Sequence, residues 1–296
     1  MSLRFAVIGQ TGQLARALIS EADALGHEVF AIGRDMLELT APAAVINEAI
    51  AELPAGLDAL ILAAAYTDVD GAESNASLAY AINATAPAVI ARACARHGIP
   101  LIHISTDYVF DGEKDAPYLP DDDTDPLGVY GASKLDGELA VLESGARALI
   151  LRTSWLYSAT GKNFLTTMLR ISEQKKTISV VDDQIGRPTY AAHLARAIFT
   201  AADIFSQEDD IPTSIYHVTN GGEPTSWAGF AKAIFDAADR DATVDNIPSS
   251  DYPTAAERPA YSVLDTDSFE RAFQHPMPEW RAGLREALEV IEDESA

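Results

Sequence analysis

The stretch Phe5-Ala6-Val7-Ile8-Gly9-Gln10-Thr11-Gly12-Gln13-Leu14-Ala15 decides the fold. Its apolar run reads as a buried strand, after which Leu14, Leu18, Ala22 and Leu25 recur at helical spacing until Gly26 ends the helix. Between strand and helix lies a G-x-x-G-x-x-A turn. Glycine lets the chain turn tightly and approach a ligand with its backbone, and the helix N-terminus beyond it offers unpaired N–H groups and a partial positive charge. A glycine pair alone is weak evidence. At the first strand-to-helix junction it predicts a cradle for a dinucleotide's pyrophosphate, formed by Gly9, Gln10, Thr11, Gly12, Gln13 and Leu14.

Beyond this stretch the same unit repeats. Glu28 to Ile32 reads as a second strand, Ala43 to Leu53 as a helix, Ala59 to Leu62 as a strand, and Leu78 to His97 as an Ala-rich helix stopped by Gly98. The strand Leu101 to Ile104, a helix from Gly131 to Ser144 and the strand Leu149 to Leu151 follow. Continuous apolar strands alternating with helices predict an α/β fold, a Rossmann-type doubly wound parallel sheet covered on both faces. After residue 155 the rhythm loosens, with helices expected near 163–173, 191–202, 226–238 and 280–291 and short strands near 178–181 and 215–218. The expected division is a dinucleotide-binding domain over 1–154, with a return of about 186–218 to its sheet. A smaller mixed α/β substrate domain over 155–296 completes it.

Composition excludes other classes. The 296 residues hold 45 Asp+Glu against 21 Lys+Arg, a net charge of −24, which repels nucleic acid and anionic membranes. Runs such as Asp121-Asp122-Asp123 and Asp209-Asp210 read either as a solvated surface or as adaptation to high salt. The single cysteine, Cys94, excludes an internal disulfide and reads as a small buried side chain. The chain opens without a signal-peptide pattern and holds no uninterrupted apolar run of membrane-spanning length, so a cytoplasmic location is expected.

At the end of the second strand, Ala31-Ile32-Gly33-Arg34-Asp35 displaces the acidic residue that usually binds the ribose 2′-hydroxyl of NAD. Arg34 can instead pair with a 2′-phosphate, which favours NADPH, with NADH as the alternative. Further on, Tyr130-Gly131-Ala132-Ser133-Lys134 places a phenol and an ammonium one helical turn apart. A nearby ammonium is expected to lower the phenol from about 10 toward the working range, so that it can exchange a proton with a carbonyl or alcohol oxygen. Thr106, at a strand's carboxyl end in Ser105-Thr106-Asp107-Tyr108-Val109-Phe110, can donate to the same oxygen.

These motifs resemble the extended short-chain dehydrogenase/reductases, and within them the dTDP-4-dehydrorhamnose reductase family. The closer likeness rests on Ala63-Ala64-Ala65-Tyr66-Thr67-Asp68-Val69-Asp70, on the run from Ser105 to Gly112, and on Leu135-Asp136-Gly137-Glu138 after Lys134. Leu151 to Tyr157, Asp183 to Thr189 and Arg258 to Ser262 extend it along nearly the whole chain. The resemblance implies reduction of the C4 ketone of dTDP-4-dehydro-L-rhamnose. Tyr130 would be the acid, Lys134 its partner and holder of the nicotinamide ribose, and Thr106 would orient the carbonyl. It also implies that Ala63, Ala64 and Ala65 flank the cofactor and that Thr67, Val69, Tyr108 and Trp155 line the sugar pocket. Arg187 and Arg258 are candidates for the substrate pyrophosphate, with surface ion pairs as their alternative. Related 4,6-dehydratases carry a second acid after Thr-Asp; here Tyr108 takes that place, which favours simple reduction. Some relatives dimerise through magnesium, but no metal ligand can be singled out, and none is expected to be required. A homodimer is compatible with the sequence. Two alternatives remain at this level: a reductase of another 4-keto deoxysugar nucleotide, and a non-catalytic NADP-binding subunit like that of methionine adenosyltransferase.

Overall fold

The computed structural model describes residues 2–208 and 211–295, so the Asp209-Asp210 run lies outside the described residues. In chain order the first half contains β1 (Arg4–Ile8), α1 (Gln13–Leu25), β2 (Glu28–Ile32), α2 (Ala43–Ala51), β3 (Ala59–Leu62), α3 (Val69–Ser74) and α4 (Ala76–Tyr80). A π-helical turn (Ala81–Thr85), α5 (Ala86–His97), β4 (Leu101–Thr106), α6 (Val129–Leu142) and β5 (Ala148–Thr153) complete it. The second half holds β6 (Leu156–Tyr157), α7 (Phe164–Ser172), β7 (Thr177–Val181), β8 (Ile185–Gly186), β9 (Thr189–Tyr190), α8 (Ala191–Gln207) and β10 (Ser214–His217). It ends with β11 (Thr225–Ser226), α9 (Trp227–Ala237), β12 (Thr243–Ile247), α10 (Asp267–Phe273) and α11 (Trp280–Ser295).

Six strands form one parallel sheet in the order β10-β5-β4-β3-β1-β2. Alternate residues of each strand enter opposite cores. Phe5, Val7, Ile61, Ile102 and Leu149 pack with Leu18 of α1, Ile198 of α8 and Phe269 of α10. Ala6, Ile8, Leu60, Leu101 and Ile150 pack with Ile46 of α2, Ile90 of α5 and Val141 of α6. Burial on both faces is why these strands read as continuous apolar runs. The chain leaves β1 toward β2 and returns on the other side at β3, so the switch in direction opens a crevice beside β1's carboxyl end. A third core, built from α7, α9, α11 and the parallel β7–β12 pair, lies in the second half.

The helix expected from Leu78 begins at Ala76 and is interrupted by the π turn. This turn directs Asn83 inward, where it accepts from Tyr66 N at 2.8 Å and donates to Tyr66 O at 3.0 Å and Ser133 Oγ at 3.0 Å. Together Ala76–His97 is long and apolar enough, at a mean hydropathy of 1.2, to cross a membrane by length and composition. Its apolar residues Ala86, Ile90, Ala91 and Cys94 nevertheless lie inside the core.

Two buried histidines set a pH limit on the fold. Burial, and then the Arg152 charge, pull His217 down to about 3; burial, and then the Lys134 charge, hold His103 well below its ordinary value. Between each folded value and the unfolded one near 6.5 the unfolded chain binds more protons, so stability falls as pH drops through that window. Asp107, raised to about 6 chiefly by burial, opposes this between about 6 and 3.8. His275, lowered chiefly by burial, acts in the same sense, so the histidines together predict a net loss of stability between pH 7 and 4.5. Urea unfolding across that range measures it, and an unchanged or rising stability would contradict the neutral buried histidines.

Candidate active site

The glycine turn lies in the crevice between β1 and β3. Gly9 has φ +129°, and a Cβ there would meet Ala15 Cβ at 3.3 Å and Ala64 N at 3.4 Å. The third-strand loop comes this close because Ala63 N and Ala64 N both donate to Ile8 O, at 3.1 and 2.8 Å. Gly12 is the N-cap of α1 and supplies no side-chain acceptor; a Cβ on it would meet nothing within 4 Å. The first turn of α1 therefore opens onto free space shaped for an anion, and a dinucleotide pyrophosphate fits the cradle. Gln10, Thr11 and Gly12 are exposed. Two of the expected contacts need refining. Leu14 is buried in the core, so only its backbone can face a ligand. Gln13 is engaged through its amide, accepting from Ser158 Oγ at 3.0 Å and donating to Leu156 O at 3.5 Å. Arg34 is exposed just beyond β2, next to Gly33, where a Cβ would come within 2.6 Å of Gln10 Oε1.

Thr106 ends β4, pairs in register with Thr153 of β5 and is buried. Its Oγ1 donates to Asp107 Oδ1 at 3.1 Å and accepts from Tyr108 N at 3.3 Å. Tyr130 and Lys134 project from the face of α6 turned toward this strand end. The Tyr130 ring meets Tyr108 edge to face at 5.5 Å, and a hydrogen bond with the Thr106 side chain favours its phenolate. Burial nonetheless dominates and, with the Asp107 charge, pushes the Tyr130 phenol up to about 12. This corrects the expectation that Lys134 draws it down. The Lys134 ammonium is instead tied to the strand, donating to Ile104 O at 2.6 Å, and burial pulls it down to about 8.

The pocket candidates fall into two groups. Thr67 is exposed and Val69 half-buried at the start of α3, whose N-cap Asp68 accepts from Gly71 N. Trp155 lies just beyond β5, next to the Thr106 strand end, with its backbone in the left-handed region at φ 49°. Its indole packs on Gly186, where a Cβ would come within 2.6 Å of Trp155 Cε2, and stacks on Trp227 at 3.6 Å and 4°. Sequence reasoning missed Trp227, which at helical spacing reads as an ordinary core aromatic. Trp227 borders a cavity of about 1250 Å³ in the second half of the chain, lined also by Phe164, Met168, Tyr252 and Arg258. Arg258 is already paired: its Nη1 and Nη2 donate to the two Asp70 carboxylate oxygens at 3.1 and 2.7 Å. Arg187 Nη1 donates to Leu264 O at 3.2 Å, while its Nε is buried with no hydrogen-bond partner. Among the described residues no group of three or more His, Cys, Asp or Glu side chains could hold a metal ion.

A doubly wound sheet with a glycine cradle at its switch point and a Thr-Tyr-Lys group at a neighbouring strand end defines an oxidoreductase of the extended short-chain dehydrogenase/reductase class. The family described as RmlD substrate binding domain matches residues 3–292. The chain belongs to this family, that of the dTDP-4-dehydrorhamnose reductases. It is 41% identical over 295 residues to the dTDP-4-dehydrorhamnose reductase of Mycobacterium tuberculosis, covering 97% of this chain and 93% of that one. It is 38% identical to a probable dTDP-4,6-dihydroxy-2-methyloxan-3-one 4-ketoreductase of Streptomyces antibioticus, over 98% of this chain and 96% of the other. Its structure is similar, with a TM-score of 0.91 and 35% identity, to the Bacillus anthracis dTDP-4-dehydrorhamnose reductase solved in complex with NADP; the match covers 98% of this chain and all of that one.

Proposed function

We propose that the protein reduces the C4 ketone of dTDP-4-dehydro-L-rhamnose to dTDP-L-rhamnose, with NADPH as hydride donor. The observation that carries this reading is the meeting of Thr106, Tyr130 and Lys134 at the carboxyl end of β4, beside the switch-point crevice that holds the glycine cradle. NADPH, when bound, supplies the hydride that C4 receives. The cradle from Gly9 to Leu14, with Ala63 to Ala65 at its side, holds the pyrophosphate by backbone approach, and exposed Arg34 answers the 2′-phosphate. Thr106 orients the ketone oxygen. Tyr130 delivers the proton that this oxygen takes up as C4 is reduced.

A phenol raised to about 12 suits this direction of reaction. It remains protonated at neutral pH, ready to donate, and an alkoxide is far more basic than a phenolate and takes its proton. Lys134 then stands as the nearest cation on the same helix face to the phenolate left behind. In this reading residues 1–154 with the 186–218 return bind the cofactor, and the rest of 155–296 binds the sugar nucleotide. Thr67, Val69, Tyr108 and Trp155 face the sugar, and the large cavity bordered by Trp227 receives the nucleotide. Of the two arginine candidates, Arg258, held by Asp70, lines that cavity and meets the substrate's diphosphate, whereas the Arg187 Nε is buried and lies off its wall.

The likeness to a 4-ketoreductase acting on a different dTDP sugar favours one second reading, reduction of another 4-keto deoxysugar nucleotide. The loss of NADPH absorbance with a panel of keto sugar nucleotides separates them. The 4-dehydrorhamnose nucleotide is expected to give the highest kcat/KM, and a higher value for another member would transfer the assignment to that sugar.

A further inference from the structure

Tyr130, Lys134 and Glu138 follow one another on α6 at four-residue spacing, so they share one helix face. Glu138 has no part in the chemistry described so far. It is fully buried, and so is Arg152 on β5. Arg152 Nε donates to both Glu138 carboxylate oxygens, at 3.0 and 3.2 Å, and its Nη2 donates to Oε2 at 2.7 Å. The Ser105 hydroxyl of β4 donates to Oε1. Ser105 and Arg152 stand opposite each other in the β4–β5 register, so one carboxylate fastens the helix to both strands. Ser105 also sits between Ile104, whose carbonyl receives the Lys134 ammonium, and Thr106.

We propose that Glu138, clamped by Arg152 and Ser105, is a positioning residue for the reduction, which keeps Lys134 charged in its buried place and fixes the strand end carrying Ile104 O and Thr106. The proposal rests on the ketoreductase reading of the site. Burial works against the Lys134 ammonium, and the Glu138 charge works for it. Arg152 is needed as well, because a bare buried carboxylate on the Tyr130 face would oppose the phenolate formed in turnover. With Arg152 in place the row Lys134, Glu138, Arg152 keeps one net positive charge inside a chain of net charge −24. Arg152 is itself anchored by donating to Pro120 O at 3.2 Å and by lying 5.0 Å from the centre of the Phe110 ring.

The other elements around Lys134 bring little competing charge. β4 contributes His103, kept neutral; the π turn contributes Asn83; α5 contributes Cys94, whose thiol burial raises to about 12. From the 107–109 turn come Asp107 and Tyr108, and from α6 itself Tyr130. On the α3 side, Asp70 is paired with Arg258, and Glu73 accepts from Val129 N at the exposed start of α6.

The test follows Lys134 directly and separately from activity. The chain has six lysines, so 13Cε-lysine labelling gives a countable NMR spectrum in which Lys134→Arg assigns the Lys134 signal. In the wild type that signal is expected to titrate above pH 7, and a midpoint below 7 would overturn the proposal without any Glu138 variant. Glu138→Gln leaves Arg152 buried and unpaired and can unfold the chain. The double exchange Glu138→Met with Arg152→Met removes both charges together and is the folding control. In either folded variant the Lys134 midpoint is expected to drop by about one unit or more, a tenfold shift in its protonation equilibrium, and the basic limb of the kcat–pH profile to move with it. A folded double variant with the wild-type midpoint and profile would reduce Glu138 to a structural role. A displaced midpoint in a wild-type-like background that has no ketoreductase activity would leave the Glu138–Lys134 coupling standing and remove the reaction reading alone.

Discussion

Tyr130→Phe is expected to lower kcat by about 10²- to 10⁴-fold while leaving NADPH affinity within about twofold, the range over which a positioned general acid contributes. The exchange removes one hydroxyl. The ring keeps its edge-to-face contact with Tyr108 at 5.5 Å, so the pocket retains its shape. What is lost is the proton for the ketone oxygen, because the neighbouring groups cannot replace it. Lys134 is held by Ile104 O, and Thr106, which orients the ketone oxygen, carries an aliphatic hydroxyl far less acidic than a phenol. Stopped-flow reduction and a fluorescence titration of NADPH separate the two quantities, and an unchanged kcat would exclude Tyr130 as the proton donor. Because the phenol lies near 12, the wild-type rate should stay level through neutral pH without a limb assigned to Tyr130.

Gly12→Asp is expected to abolish useful cofactor binding, by about 10²-fold or more, without destabilising the fold. Gly12 sits at φ −69° and ψ 158°, a conformation open to any residue, and its Cβ would project into empty space. An aspartate there is a better N-cap than glycine by a few tenths of a kcal/mol. The same carboxylate would occupy the anion cradle, and like-charge juxtaposition costs several kcal/mol, each 1.4 of which is tenfold in affinity. Thermal unfolding without NADPH should therefore match or exceed the wild type, while the stabilisation that NADPH confers disappears. Retained NADPH stabilisation would place the pyrophosphate elsewhere.

The parts of this molecule legible in its sequence are those where one local signal has one structural meaning. Phe5 to Ala15 identifies a strand, an anion-binding turn and a helix because the pattern changes period at the glycines. Ala59 to Leu62 and Leu149 to Leu151 are recognisable as strands because both faces are covered, the second running in the structure from Ala148 to Thr153. Where structure depends on a distant partner, the sequence is silent. β12 lacks apolar continuity because it is half exposed, paired with β7 in a two-stranded sheet away from the main one. The π turn is invisible because its cause is Asn83 turning in to hold the Tyr66 loop. Trp227 gains its place at the cavity by stacking on Trp155 and packing on Phe164, residues distant in sequence. The Tyr130 expectation misjudged a balance: the Y-x-x-x-K spacing gives the proximity of a cation, but neither the depth of burial nor the carbonyl that engages Lys134. Glu138 was in view within Leu135-Asp136-Gly137-Glu138, four residues beyond Lys134, and only the β4–β5 register reveals what it touches.

The acidity of the chain bears on its ligands rather than on its fold. NADPH and a sugar nucleotide are both polyanions, and in the proposed reading they meet local donors: backbone N–H groups at α1, exposed Arg34, and half-buried Arg258 held by Asp70. The reaction proposed for this site delivers one hydride to one carbon. With NADPH deuterated at the transferable C4 position of the nicotinamide and dTDP-4-dehydro-L-rhamnose as acceptor, NMR of the product should find deuterium at C4 of the rhamnosyl ring, one atom per NADPH consumed. Product lacking that deuterium, or carrying it on another carbon, would exclude C4 as the hydride acceptor.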